Sequence, residues 1–198
     1  WGELFVSERD EILWPSAIKE YFTEHLGRTL ASERDFSIIL GFFLHTLIEL
    51  DKKWVEINFD QIFSEVNEAH FKFTLGSCLS EFASFSKDIY ELFVKKDVFS
   101  RAISIYVSQS QSLDSLMRYA IWEYRFWGID PAKPKSILSL IFDKKGEVQL
   151  QRLLYVIWRY KILTKDQLRF IWKQVLLITS SDPRKYKDVK RALAWLLE

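Results

Sequence analysis

The chain has 198 residues, 48% hydrophobic and 16% aromatic, with six glycines and four prolines, which excludes intrinsic disorder and disfavours an all-β protein with its many turns. Its formal net charge is +1, but residues 1–100 carry 10 basic and 18 acidic side chains, whereas residues 150–198 carry 11 and 4. This asymmetry indicates either a polyanion-binding surface on the basic part or attraction between an acidic and a basic lobe.

Three features bear on where the protein works. Cys78 is the only cysteine, so no internal disulfide forms, and we expect a reducing, cytoplasmic compartment. The chain opens on Trp1 without a signal-peptide pattern, and we expect it to be a domain of a longer polypeptide. The longest apolar run, residues 38–50, is shorter than the roughly 20 residues that span a bilayer, so we expect no membrane partner.

The first part of the chain predicts an acidic helical lobe over residues 1–107. Its clearest helix begins at Ser32, where Asp35 follows at the third position as in a capping box. Apolar residues then recur at the spacing of one helical face, and they are Phe36, Ile39, Leu40, Phe43, Leu44, Leu47 and Ile48. The polar segment 108–112 is the best linker candidate, and one continuous domain is the alternative.

The second part, residues 113–198, predicts a basic lobe of five helices. Capping residues and turn signals place them at about 113–127, 134–143, 148–161, 165–179 and 184–197. A local pattern repeats within this lobe, since the segment from Tyr119 to Arg125 returns 36 positions later as the segment from Tyr155 to Lys161. Trp195 lies a further 37 positions beyond Trp158. A period of this size is typical of one helix–turn–helix unit in a stacked repeat.

Both copies of the pattern are apolar on two sides of the helix. In the first copy, one side carries Leu116 and Ala120 and the other carries Tyr119 and Trp122, and the second copy repeats this arrangement. A helix that is apolar on two sides has to be covered on both, as in a stack of helical hairpins. We therefore expect an all-α protein of stacked antiparallel helix pairs, an α-solenoid-like array of about nine or ten helices.

The last unit of the chain resembles a HEAT repeat. An Asp182-Pro183 turn precedes a helix that begins with Val189, Arg191 and Ala192, and an Asp-Pro turn followed by such a helix start recurs in that family. The resemblance covers residues 113–198. It implies an α-solenoid that serves as a binding scaffold, with no catalytic residues to transfer to this chain.

Motifs for catalysis or cofactor binding are not found in the sequence. His25, His45 and His70 lack the i, i+3 or i+4 spacing of helical metal pairs. Cys78 lies on an apolar face without a nearby base, which favours a buried thiol over a nucleophile. Neither glycine-rich phosphate loop occurs. We therefore expect no enzyme activity and no catalytic, cofactor-binding or metal-binding residues in this chain.

Basic side chains in the second lobe are interleaved with aromatic ones, a combination that can bind phosphates and stack bases. The ordinary alternative is that these cations cover the outside of a solenoid or pair with the acidic lobe. The candidate polyanion-binding residues are Arg125, Arg159, Lys161, Lys165, Arg169, Lys173, Arg184, Lys185 and Lys187. We predict a scaffold that contacts a protein partner or other domains of the same chain, and nucleic-acid binding is the alternative function.

Overall fold

The computed structural model describes residues 14–26, 34–64, 66–80, 86–106 and 111–196, with Trp195 described by its backbone alone. Within those residues the fold holds eleven α-helices and no strand, so the all-α prediction is confirmed. The helices are α1 (Ser16–Leu26), α2 (Arg34–Phe42), α3 (Leu44–Ile62), α4 (Glu68–Cys78), α5 (Lys87–Lys95), α6 (Val98–Ile105), α7 (Gln111–Arg125), α8 (Ile137–Lys144), α9 (Glu147–Tyr160), α10 (Lys165–Ser181) and α11 (Lys187–Trp195). No described helix has both the length and the apolar character needed to cross a bilayer.

The chain divides into two compact units, Trp1–Phe85 and Ser86–Glu198. The predicted linker, residues 108–112, falls inside the second unit, and residues 107–110 lie outside the described part of the chain. A linker at that point therefore remains a prediction.

The first unit is organised around the contact between α2 and α4. Small residues allow the two backbones to approach closely: a Cβ on Gly41 would stand 1.9 Å from the backbone oxygen of Thr74. Ser37 lies one turn earlier on α2, where its hydroxyl is 2.7 Å from Nδ1 of His70. Because no side chain fits at Gly41, this residue sets the spacing of the pair.

The predicted continuous helix through residues 36–48 is wrong, because α2 ends at Phe42 and α3 begins at Leu44. Phe43 between them is 47% exposed rather than part of a buried face. A second break follows at Asp51, whose backbone is non-helical. The Asp51 carboxylate accepts hydrogen bonds from the Trp54 amide at 2.8 Å and from the Lys19 ammonium at 2.7 Å. It thus caps the second half of α3 as an N-cap residue does. The predicted start, Ser32, lies outside the described residues.

In the second unit, helices α7, α9 and α11 form one row and helices α6, α8 and α10 form another. α9 packs between α7 and α11, and α8 packs against both α6 and α10. Contacts between α7 and α8, α8 and α9, and α10 and α11 join the rows. The sides that face one another are aliphatic, with Leu116, Leu153 and Ile141 fully buried. All five helices predicted for residues 113–198 are present, as α7 to α11.

Polar side chains join the helices of the second unit at their ends. Gln149 at the start of α9 donates from Nε2 to the carbonyl oxygens of Ile103 and Tyr106, each at 3.2 Å. Tyr186 before α11 donates its hydroxyl to the Lys145 carbonyl at 2.9 Å, at the end of α8. These bonds satisfy backbone acceptors that a helix terminus leaves without an internal partner.

Candidate functional site

The two copies of the repeated pattern lie on α7 and α9, which pack against each other. Each copy pairs its first tyrosine with its tryptophan: ring centroids are 5.3 Å apart for Tyr119 and Trp122, and 6.1 Å apart for Tyr155 and Trp158. Their burial differs, since Tyr119 is 2% exposed where Tyr155 is half-buried, and Trp122 is half-buried where Trp158 is 38% exposed. The shared pattern therefore gives the same local pairing in two different surroundings.

All nine candidate polyanion-binding residues are exposed. Polar contacts of their side chains include two: Arg125 donates from Nε to the Ile162 carbonyl at 3.0 Å, and Arg169 pairs with Asp166 at 3.0 Å. Three rest over the ring of the residue that follows them, at 5.5 Å for Arg125, 5.7 Å for Arg159 and 5.0 Å for Lys185.

The end of α7 and the start of α10 bring part of this set together. The Arg125 bond to Ile162 places its guanidinium beside the 161–164 connection, which contains Lys161. Lys161 itself has a left-handed backbone, φ 50°, as the C-cap of α9. Gln167 in the first turn of α10 completes a capping box with Thr164 and donates to the Tyr124 carbonyl at 3.2 Å. The positive end of α10 is therefore already satisfied by its own cap.

A cleft of about 300 Å³ lies between α10 and the end of α11. We call it the α10 cleft, and its lining residues are Leu168, Arg169, Trp172, Lys173 and Leu196. Among these described residues three are apolar and two are cations. The cleft therefore combines apolar surface with positive charge, a composition found in ligand-binding pockets.

The outer side of α10 continues the apolar surface beyond the cleft. Leu168, Trp172 and Leu176 follow one another at i, i+4 and i+8, so they lie along one line on the helix. Leu176 is 40% exposed, and Leu177 beside it is 69% exposed. The neighbouring side of α10, which carries Ile171 and Val175, is buried. The sequence predicts the exposed cations of this helix but not its exposed leucines.

Glu123 on α7 is a buried carboxylate, 0% exposed, that the sequence analysis did not single out. Its Oε1 accepts the Leu138 amide at 3.0 Å, so it caps the first turn of α8. Burial raises the pKa of Glu123 to about 7, although hydrogen bonds from the Leu138 amide and the Tyr90 hydroxyl act in the opposite direction. Burial, followed by the charge of Glu123, holds the pKa of Tyr90 well above its usual range. Because no solvent reaches the Glu123 carboxylate, we assign it a structural role in holding the start of α8 and the 126–136 connection before it.

His70 and Ser37 form the one arrangement in the first unit that resembles catalytic chemistry among the residues described there. Nε2 of His70 lies 2.9 Å from the Ile62 carbonyl, which only accepts, so in the neutral ring Nδ1 accepts from the Ser37 hydroxyl. A nucleophilic serine needs this bond but also needs access to its substrate. Ser37 is 1% exposed, so its hydroxyl holds α2 against α4 and reaches no ligand.

The remaining metal-ligand and thiol side chains lie apart. His25 caps the last turn of α1 through Tyr21, and His45 lies 3.7 Å from Glu49 on α3. No three His, Cys, Asp or Glu side chains converge on a metal position anywhere in the described ranges. Cys78 is buried, as predicted, and burial holds the pKa of its thiol well above the usual range. A thiol in that state is a poor nucleophile.

None of the family models, curated proteins or solved structures compared with the chain matches it. The assignment of function therefore depends on the physical properties of the surfaces described above, and chiefly on the α10 cleft and the outer side of α10.

Proposed function

We propose that this chain is a non-enzymatic helical interaction module that binds a protein partner. The observation that carries the proposal is the outer side of α10, where Leu176 and Leu177 are exposed beside the α10 cleft. Two exposed leucines near a partly apolar cleft offer surface that a protein partner can bury.

The packing of the second unit supports an α-solenoid-like stack in residues 113–198. Two rows of helices, α7–α9–α11 and α6–α8–α10, are what successive helical hairpins produce when each stacks on its neighbour. The period of 36 residues between the Tyr119 and Tyr155 segments agrees with that reading. The HEAT-like character of the last unit belongs to the same proposal and rests on Asp182, Pro183 and Val189.

A pair of matched substitutions tests whether α10 is the binding surface. Leu177 on α10 and Ile57 on α3 are both exposed aliphatic residues, at 69% and 71%. The full chain and its Leu177→Glu and Ile57→Glu variants serve as baits in a cell extract of the source organism, with quantitative mass spectrometry of the retained proteins. We expect a protein that the wild type and Ile57→Glu retain equally and that Leu177→Glu loses by about tenfold or more.

The proposal is overturned if no retained protein distinguishes Leu177→Glu from Ile57→Glu. Circular dichroism of both variants accompanies the measurement, because each substitution adds one charge to an exposed helical site and should leave the helix content unchanged. A loss confined to Ile57→Glu would move the binding surface to the first unit.

Nucleic-acid binding is the second candidate function, favoured by the exposure of all nine candidate cations. Lys165, Arg169 and Lys173 lie at i, i+4 and i+8 along α10 and form a cationic row. If the row contacts phosphates, fluorescence anisotropy with a mixed-sequence DNA or RNA should show binding that weakens steeply with salt. Changing the three cations to Glu should abolish it. Binding indifferent to that reversal would exclude the row as the nucleic-acid contact.

A further inference from the structure

We infer that the α10 cleft binds an acidic amphipathic α-helix of another polypeptide, with the partner's apolar side chains on Leu168 and Trp172 and its carboxylates against Arg169 and Lys173. The inference rests on the proposed function, since it names the chemistry of the partner that the interaction module takes. Binding of an amphipathic helix in an apolar groove is a general mode of peptide recognition.

The apolar part of the site has the length of a short helical segment. Leu168, Trp172 and Leu176 span nine residues of α10, or about 12 Å over the eight steps at 1.5 Å per residue. A partner helix that crosses or follows this line presents apolar side chains at i, i+4 and i+7 over a similar length. The volume of about 300 Å³ lies at the small end of ligand pockets and suits the insertion of side chains from a partner rather than a whole cofactor.

The charges beside the cleft select an acidic partner. Lys165, Arg169 and Lys173 stand on the exposed side of α10, and Asp166 offsets part of their charge through its 3.0 Å contact with Arg169. Residues 150–198 as a whole carry 11 basic and 4 acidic side chains. Complementary charge raises the association rate and suppresses basic partners, so a helix rich in Asp and Glu is favoured over a basic one.

The apolar floor distinguishes a peptide from a nucleic acid. Phosphates are bound by cations and backbone amides, and bases stack on open aromatic faces. Trp172 is half-buried in the cleft with Leu168 and Leu196, and Leu176 and Leu177 extend the surface with alkyl groups. Alkyl groups contribute nothing to phosphate binding, whereas they bury well against the leucines and aromatic rings of an amphipathic helix.

The experiment uses the full 198-residue chain and a synthetic, fluorescein-labelled helical peptide of about 18 residues with Leu or Trp at i, i+4 and i+7 and Asp or Glu on its flanks. Two control peptides are used. One has the same composition in scrambled order, and the other keeps the order but has Lys in place of each acidic residue. Anisotropy should show saturable binding of the acidic amphipathic peptide. It should show affinity at least about tenfold weaker for each control.

Protein variants locate the site. Arg169→Glu with Lys173→Glu should weaken binding by about tenfold or more. The matched reversal of two exposed cations outside the cleft, Arg184→Glu with Lys187→Glu, should change it by less than about threefold. The chain is also labelled with fluorotryptophan, and the ¹⁹F resonance of Trp172 is the one that is missing from the spectrum of the Trp172→Phe variant. That resonance should shift when the peptide is added.

Four outcomes overturn the inference: the acidic peptide does not bind, the scrambled peptide binds as well, both charge reversals weaken binding equally, or the Trp172 resonance does not move. Equal effects of the two reversals together with DNA binding would assign the basic surface to nucleic acid. If the peptide fails while Leu177→Glu still removes a captured protein, the interaction module stands and only the acidic-helix partner is wrong.

Discussion

The repeated segments 119–125 and 155–161 share a sequence pattern and differ in what covers them. Tyr119 is 2% exposed, and Glu123 is fully buried as the cap of α8. At the corresponding positions of α9, Tyr155 is half-buried and Arg159 is exposed. The connections that follow the two helices also differ. The longer one, residues 126–136, folds back through the Ile129 amide onto the Glu123 carbonyl at 3.0 Å.

The short connection 161–164 leaves the end of α9 uncovered. It passes directly from the left-handed Lys161 to Thr164, the N-cap of α10. Trp158 and Tyr160 near that end are 38% and 37% exposed. The two copies therefore share a helix pattern and differ both in the burial of its side chains and in the connection that follows. Matched substitutions in the two copies test this difference directly.

The largest expected effect separates the two tyrosines. Tyr119→Ala should lower the free energy of unfolding by about 3 kcal/mol, because it empties a closed site in the core. Tyr155→Ala should cost roughly 1 kcal/mol, because Tyr155 is half-buried and its removal leaves a space that water and neighbours can fill. Urea unfolding followed by circular dichroism measures both. Equal losses would show that the two copies are packed alike.

A smaller effect concerns pH and the pair Glu123 and Arg159. The folded pKa of Glu123, about 7, lies above its ordinary value of 4.5, so the folded state binds more protons than the unfolded state between these values. The contribution of Glu123 to stability is therefore fully present below about pH 4.5 and is lost as pH rises through 7. Glu123→Gln should remove this loss, gaining on the order of 2 kcal/mol relative to wild type between pH 5 and pH 8.

Arg159→Gln is the control at the equivalent position of α9. Because Arg159 is exposed, its removal should leave the pH profile of stability parallel to that of the wild type. The free energy of unfolding of each variant is compared with that of the wild type at every pH. This is necessary because Asp51, whose pKa is lowered, contributes stability that all three proteins lose as pH falls. A Glu123→Gln profile parallel to wild type would contradict a buried, titrating carboxylate.

The smallest expected effect comes from substituting glycine at the last matched position of the two copies, which is Arg125 in α7 and Lys161 after α9. Lys161 has φ 50°, so Lys161→Gly should stabilise the protein by about 0.5–1 kcal/mol by relieving a left-handed backbone. Arg125 is helical and bonded to Ile162, so Arg125→Gly should destabilise the protein by about 1 kcal/mol. Thermal unfolding of both variants measures the sign. Two changes of the same sign would contradict the difference in backbone at these positions.

Local signals were sufficient to predict part of this fold. The helices of residues 113–198 follow from capping residues and spacing, such as Thr164 with Gln167, which forms the predicted capping box. The sequence also carries a local signal for the break at Asp51, because Asp51 precedes Trp54 at the spacing of an N-cap residue. The break at Phe43 is different, because the apolar spacing runs across it and predicts one helix where the chain forms α2 and α3.

Long-range packing decides what the sequence analysis missed. The role of Glu123 depends on Leu138, which lies fifteen residues away in the chain. No local sequence pattern predicts that contact. The α10 cleft depends on Leu196 meeting Leu168 and Trp172. Spacing placed Lys165, Arg169 and Lys173 on one side of a helix, but the exposure of Leu176 and Leu177 follows from which neighbours cover α10.

Hydroxyl-radical footprinting tests most directly whether α10 is the interaction surface. The full chain is compared free and bound to the captured partner, which is the protein that the Ile57→Glu variant retains and the Leu177→Glu variant loses. The account predicts that oxidation of Trp172, Leu176 and Leu177 falls several-fold on binding, while oxidation of Ile57 and Phe43 on the first unit does not change. Protection of Ile57 or Phe43 with unchanged oxidation of Trp172, Leu176 and Leu177 would contradict it.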